Sequence, residues 1–239
     1  MMGTFRCMMV GLFVVACRSG GGEPGEPTAD DRDGDGLTNA EEAALGSNPD
    51  AADTDRDGWD DLIEVDNYTD PLNGFDHPYT GGWEIDACRN DLRGTGGARG
   101  DVALPFSLMD QHGDPVRLHD FCDRVVLIAS AAGWCQPCQQ EAPFLQRMFE
   151  EYKDDGLMVI TLLGEDASSQ TPSLDVLQDW ADEFELTHPV LQDTSFSATA
   201  IFTGPNGALP ANHLLARGAV VEFTSVMEVD EEMITSYLD

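Results

Sequence analysis

VVLIASAAGWCQPCQQEAPFLQRMFEEY, residues 125–152, decides the fold. Val125–Ala132 is a nearly continuous apolar run, rich in Val and Ile at its start, and reads as a buried strand. Gly133-Trp134-Cys135-Gln136-Pro137-Cys138 follows, after which Ala142, Leu145, Phe149 and Tyr152 recur at helical spacing. Strand, CxxC, helix is the context in which two cysteines carry redox chemistry rather than zinc. Cys135 is expected at the helix N-terminus, where unpaired amides and the macrodipole favour thiolate over thiol. Such a thiolate attacks a disulfide to form a mixed disulfide, and Cys138, one turn on, attacks the Cys135 sulfur to release the reduced product. Pro137 lacks an amide hydrogen that the first helical turn leaves unpaired in any case.

Further motifs lie outward on both sides. Upstream stand Phe106, Leu108, Asp110, Gly113, Val116, Leu118, Asp120 and Phe121; downstream, Leu209-Pro210 precedes the apolar pairs Leu214-Leu215 and Val220-Val221. With WCQPC, and with Pro143 eight residues after Cys135, these resemble the TlpA-like thiol–disulfide oxidoreductases of thioredoxin fold over about 140 residues. The resemblance implies an α/β, thioredoxin-like fold, a central mixed sheet flanked by helices. It also implies a cis Pro210, an active-site loop built from Trp134, Pro137, Leu209 and Pro210, protein thiol or disulfide substrates, and an upstream redox donor. No cofactor is expected in this domain beyond the Cys135–Cys138 pair. Thioredoxins carry a buried acid six residues before the first cysteine; that position is Ala129, with Ser130, Glu165 and Glu185 as substitutes to consider. Gly164–Thr187 resembles the helical insertion of the TlpA-like proteins, with Leu174, Leu177, Trp180, Ala181 and Phe184 on one face. A peroxidatic P-x-x-x-T-x-x-C pattern ending at Cys135 would need Pro and Thr where Ile128 and Ala132 stand, which argues against peroxide reduction.

The N-terminus reads as a targeting segment. Arg6 precedes an apolar run from Cys7 to Ala16, shorter than a membrane span and of signal-peptide length. Val14-Val15-Ala16-Cys17 resembles the lipobox of bacterial lipoproteins, which implies cleavage before Cys17, lipidation of Cys17 and a membrane anchor. Arg18 resembles the sorting position of outer-membrane lipoproteins, so a bacterial envelope location, facing periplasm or exterior, is expected. Residues 18–30 are rich in Gly, Pro and Glu and read as a flexible tether. With Cys7 removed and Cys17 acylated, Cys88, Cys122, Cys135 and Cys138 remain, an even set that suits an oxidising compartment. A Cys88–Cys122 disulfide is expected, stabilising by about 3–4 kcal/mol on loop entropy. A four-thiolate zinc site is the alternative, but two widely spaced single cysteines plus one CxxC suit it poorly.

Between tether and redox segment lies a repeat. DRDGDGLTNAEE (31–42) and DTDRDGWDDLIE (53–64) both fit D-x-[DN]-x-[DN]-G-x₅-E, 22 residues apart. Ca²⁺ takes six to eight oxygens, and carboxylates at alternate loop positions converge on one point. The expected ligands are Asp31, Asp33, Asp35, the Leu37 carbonyl, Asn39 and Glu42 in the first loop. In the second they are Asp53, Asp55, Asp57, the Trp59 carbonyl, Asp61 and Glu64. Ten residues, Ala43 to Ala52, separate the loops, too few for the two helices that a paired EF-hand needs. Gly46-Ser47-Asn48-Pro49 followed by Asp53 and Asp55 resembles thrombospondin type 3 repeats, with dockerin modules as the second comparison.

The chain of 239 residues holds 12 basic and 45 acidic side chains, for a net charge of −33. Such a surface repels phosphate backbones, so no nucleic-acid partner is expected. The expected organisation is a signal peptide (1–16), lipidated tether (17–30), calcium-binding repeats (31–76), linker (77–100) and redox domain (101–239). The competing reading is a calcium-binding surface lipoprotein that uses the thioredoxin fold as a non-catalytic scaffold.

Overall fold

A computed structural model of the chain describes residues 30–205 and 207–238 (225 and 226 as backbone alone) and the backbone of 5–10 and 14–19. Most of the expected tether, residues 20–29, and the Cys17 side chain lie outside the described residues. The chain divides into two compact units, Met1–Pro78 and Tyr79–Asp239. Among the described residues, no helix is long and apolar enough to cross a membrane.

In the first unit, β1 (Phe5–Val10) pairs antiparallel with β2 (Val14–Ser19). Each acidic loop runs directly into one short helix, α1 (Asn39–Leu45) or α2 (Asp61–Asp66). Thr38 starts α1 with a capping box: its hydroxyl accepts the Glu41 N–H, and the Glu41 carboxylate accepts the Thr38 N–H at 2.8 Å. Gly46 ends that helix at φ 91°, a left-handed position that suits glycine. Helices of six and seven residues are too short to hold their shape in water unaided, so the loops beside them must supply the order.

The second unit is built on one five-stranded sheet. Its strands are β5 (Val125–Ala131), β6 (Leu157–Leu163), β7 (Val190–Gln192), β8 (Ala211–Ala216) and β9 (Val220–Val226), in spatial order β7-β6-β5-β8-β9. β5, β6 and β7 run parallel, whereas β8 and β9 are antiparallel to their neighbours. Every residue of β5 and β6 is buried, as strands covered on both faces require. α3 (Gln136–Tyr152) follows β5 and buries Cys138, Ala142, Leu145, Met148 and Phe149. α4 (Leu174–Glu183) buries Leu177, Trp180 and Ala181, while Leu174, expected on that face, is 41% exposed. β3 (Ser107–Met109) and β4 (Pro115–Arg117) form the upstream hairpin, and α5 (Thr199–Thr203) and α6 (Glu231–Thr235) complete the unit.

The expected linker over 77–100 is corrected. From Tyr79 onward the chain packs into the second unit, with Tyr79, Trp83 and Ile85 in its core. Trp83 Nε1–H donates to the Thr187 carbonyl at 3.0 Å, Tyr79 O–H donates to Asp120, and the Asp86 N–H donates to the Asp120 carbonyl at 2.8 Å. A disulfide joins Cys88 to Cys122, with Cα atoms 6.1 Å apart. Three aromatic or aliphatic side chains and a covalent tie hold this segment, which its many Gly and polar residues disguise as a tether.

Candidate active site and calcium loops

β5 delivers the chain to the helix-initiating end of α3. Cys135 is the N-cap residue, Pro137 lies in the first turn, and Cys135 and Cys138 are joined as a disulfide with Cα atoms 5.3 Å apart. The Cys138 N–H points at the Cys135 sulfur, 3.3 Å away, so a thiolate formed there has a backbone donor in place. Both cysteines are almost wholly buried, in a cluster with Ala131, Ala132, Ala142, Trp180 and the flanking Leu209. The Leu209–Pro210 peptide bond is cis, and Pro210 is buried. Trp134 stands at the rim, 49% exposed, its Nε1–H donating to the Glu165 carboxylate at 2.6 Å. The Gly133 N–H donates to the Glu165 carbonyl at 2.8 Å, and the Gln139 side chain donates to the Gly133 carbonyl at 2.7 Å. The structure therefore packs Leu209 against the cluster that holds the sulfur pair, with Trp134 and Pro137 exposed on the same turn.

None of the three substitutes considered for the acid absent at Ala129 serves the cysteines directly. Ser130 points to the other face of β5, where its hydroxyl meets Thr199 Oγ1 at 2.9 Å and His213 Nε2 at 3.5 Å. Glu165 is engaged with Trp134, and Glu185 is exposed. Glu141 was not anticipated. It lies three residues after Cys138, on the same side of α3, and is half-buried. Desolvation holds its carboxyl above the ordinary glutamate range, opposed by a 2.7 Å hydrogen bond from Asn212 Nδ2 and reinforced by Glu228. The signal was present in the sequence as an acid at helical spacing from the second cysteine.

The buried histidines hold the frame. His188, pushed down to about 3 by burial, lies between Thr161 Oγ1 at 3.0 Å and Gln146 Oε1 at 3.2 Å. His213, pushed down to about 4, stacks on Phe202.

The first unit carries the second candidate site. Carboxylate oxygens of Asp31, Asp33 and Asp35 lie within 4.8 Å of one another, and those of Asp53, Asp55 and Asp57 do the same. Glu42 and Glu64 are fully buried. Both Glu42 oxygens, Glu64 Oε2, Asp33 Oδ2, Asp55 Oδ2 and Asp57 Oδ2 are buried without a hydrogen-bond partner. Desolvation and the neighbouring aspartates push Glu42 up to about 7 and Glu64 up to about 8. Buried carboxylate oxygens facing one another without donors fit a hard divalent cation, and Ca²⁺ would be held there. Gly36 and Gly58, at φ 102° and 104°, make the sharp turns that bring the carboxylates together.

The side chain at position nine of each loop also holds the loop backbone. Asn39 Oδ1 accepts the Arg32 N–H at 3.3 Å, and Asp61 Oδ1 accepts the Thr54 N–H at 2.8 Å. These side chains brace the second residue of their own loop, because the helix that each one begins turns it toward that backbone. Asp35 ties the loops together: its Oδ1 accepts the Leu37 N–H at 2.6 Å and its Oδ2 the Leu62 N–H at 3.2 Å.

Comparison with known proteins agrees with both halves. Residues 99–223 match the model described as the AhpC/TSA family, and residues 31–49 match that of the bacterial TSP3 repeat. The thiol–disulfide oxidoreductase ResA of Geobacillus kaustophilus is 27% identical over 143 residues, covering 59% of this chain and 77% of that protein. The thioredoxin-like protein YneN of Bacillus subtilis is 32% identical over 94 residues, covering 39% and 53%. Among solved structures, the thioredoxin domain of a thiol–disulfide oxidoreductase from Bacteroides vulgatus superposes with TM-score 0.51 at 17% identity, covering 59% of this chain and 99% of that one. A thioredoxin-family thiol:disulfide interchange protein from Chlorobium tepidum gives 0.50 at 16% identity, covering 62% and 99%. These two likenesses show the thioredoxin-like fold.

Proposed function

The chain belongs to the AhpC/TSA family, and from that premise we propose an envelope-anchored thiol–disulfide oxidoreductase that exchanges disulfides with protein substrates through Cys135 and Cys138. One observation carries the reading: a Cys135–Cys138 disulfide across the first turn of α3, beside a cis Leu209–Pro210 bond and preceded by an exposed Trp134. In the reducing direction, Cys135 thiolate attacks one sulfur of the substrate disulfide and the other sulfur leaves as thiolate. Cys138 then loses its proton and attacks Cys135, which closes the Cys135–Cys138 bond and frees the second substrate thiol. Glu141, one turn after Cys138, is the acceptor for that proton. Trp134, Pro137, Leu209 and Pro210 form the surface against which an extended substrate segment lies. Ile128 and Ala132, in place of the peroxidatic Pro and Thr, favour disulfide exchange over peroxide reduction within this family.

The acidic repeats form a Ca²⁺-stabilised spacer, with Asp31, Asp33, Asp35, Glu42, Asp53, Asp55, Asp57 and Glu64 as the primary ligands. Bound Ca²⁺ supplies the positive charge that these carboxylates lack. Cleavage before Cys17 with lipid on Cys17, followed by the tether to residue 30, is part of this reading. It is supported by the lipobox-like Val14-Val15-Ala16-Cys17 and the following Arg18, which suit a bacterial envelope location at the outer membrane. The Cys88–Cys122 disulfide suits an oxidising space. The scaffold reading is not favoured, because it leaves the buried Cys135–Cys138 disulfide without a purpose. Insulin reduction with dithiothreitol as donor tests the enzyme: wild type accelerates it, Cys135→Ser does not, and Cys138→Ser accumulates a covalent mixed disulfide. Absence of acceleration by wild type, with a thioredoxin control active, overturns the reading.

A further inference from the structure

Asn212 occupies an expensive position. It is fully buried on β8, two residues after the cis Pro210, and its ladder partner on β5 is Ala129. Paired residues of a ladder share a face, so Asn212 stands on the side of the sheet that carries α3 and the cysteines. A carboxylate can only accept hydrogen bonds, so the amide presents Nδ2 to Glu141, at 2.7 Å. Its Oδ1 is then left buried with no partner. An orphaned buried acceptor costs about 1–3 kcal/mol, which an apolar residue of the same size would avoid. Stability therefore does not account for an amide here, and its single bond to Glu141 does.

We propose that Asn212 is a positioning residue for the resolving step, reaching across the ladder from Ala129 to hold the Glu141 carboxylate over the turn that carries Cys138. Resting on the reading of Cys135 and Cys138 as the exchanging pair, it assigns the place of the acid absent at Ala129 to a two-residue unit supplied by β8 and α3. In the step concerned, Cys138 gives its proton to Glu141 and its sulfur bonds to Cys135. The Cys135–substrate bond breaks, and the departing thiolate takes a proton from solvent. Asn212 donates to the ionised carboxylate and fixes its rotamer, against the repulsion of Glu228 beyond β9. Without it, Glu141 swings toward water, away from the sulfur pair.

The test isolates that step. The full chain, reduced and freed of reductant, reacts with 5,5′-dithiobis(2-nitrobenzoate): the first thionitrobenzoate leaves as Cys135 is capped, the second as Cys138 displaces the cap. Asn212→Ala and the isosteric Asn212→Asp are each expected to slow the second release at pH 7 by about tenfold or more and to move its pH profile upward. In a Glu141→Gln background, Asn212→Ala is expected to add no further loss, because the two act as one unit. Unchanged second-release rates and pH profiles in both variants overturn the proposal, as does an equal loss in the Glu141→Gln background. Should Asn212→Ala fail to fold, Asn212→Asp alone decides between these outcomes. A wild type that never makes the second release instead overturns the underlying dithiol reading.

Discussion

Gly133 sets how closely the Cys135 loop approaches the segment after β6. A Cβ there would fall 2.6 Å from the Ala167 nitrogen, a contact with backbone that no side-chain rotation relieves. Gly133→Ala should lower stability by about 1–3 kcal/mol, read as a shifted urea midpoint, and should alter the alkylation rate of Cys135. The same residue-level logic decides what can be read from a sequence. Cys135, Pro137 and Cys138 are contiguous, and their chemistry follows from local spacing on one helix turn. Leu209-Pro210 is legible only through the resemblance to TlpA-like chains, which place a cis-proline before their last two strands. Asn212 was beyond reach, since its meaning depends on which residue of β5 it faces, and register between strands 83 positions apart is not written in either strand. Glu141 falls between these cases: its spacing from Cys138 is visible, but the burial that raises its affinity for a proton, and the Asn212 bond that opposes it, arise only in the folded unit.

At the scale of elements, the acidic loops and their helices form interdependent pairs. Removing Ca²⁺ with a chelator should unfold α1 and α2, because the buried carboxylates then repel one another beside helices too short to persist. Far-ultraviolet circular dichroism of the full chain should show a loss of helix that added Ca²⁺ reverses, and Glu42→Ala should weaken the response. The second unit depends on pH in a different way. His188 joins β6 and α3 from the start of β7, and its native pKa of about 3 lies below the unfolded value of 6.5. The unfolded chain therefore binds the extra proton, and stability falls as pH drops through 6.5. At pH 5 the contribution is about 2 kcal/mol. Urea unfolding between pH 7 and 5 should show a shallower pH dependence for His188→Gln than for wild type; an identical slope would contradict a buried neutral imidazole. The acidic loops were legible as ligand sets because a loop motif is local. The bracing roles of Asn39 and Asp61 were not, because they emerge only when the following helix turns its first residue inward.

For the whole molecule, the boundary between the units falls at Pro78, so the folded second unit begins at Tyr79, well before the expected redox-domain start at Asp101. The Cys88–Cys122 link sits inside that unit, and replacing both cysteines by Ser should lower its stability by about 3–4 kcal/mol while disulfide exchange at Cys135 persists. Loss of exchange in a variant that still folds would show that this second disulfide takes part in the chemistry. Composition alone hid the early boundary, because a segment rich in Gly and polar residues can still pack through a few large side chains such as Trp83. The exposed Trp134 has a further consequence. An excited indole beside a disulfide loses light by electron transfer to the sulfurs, and Trp134 adjoins the Cys135–Cys138 bond. The molecule thus carries its own lamp: emission should brighten on reduction and dim on oxidation, so that each turnover can be followed without a label.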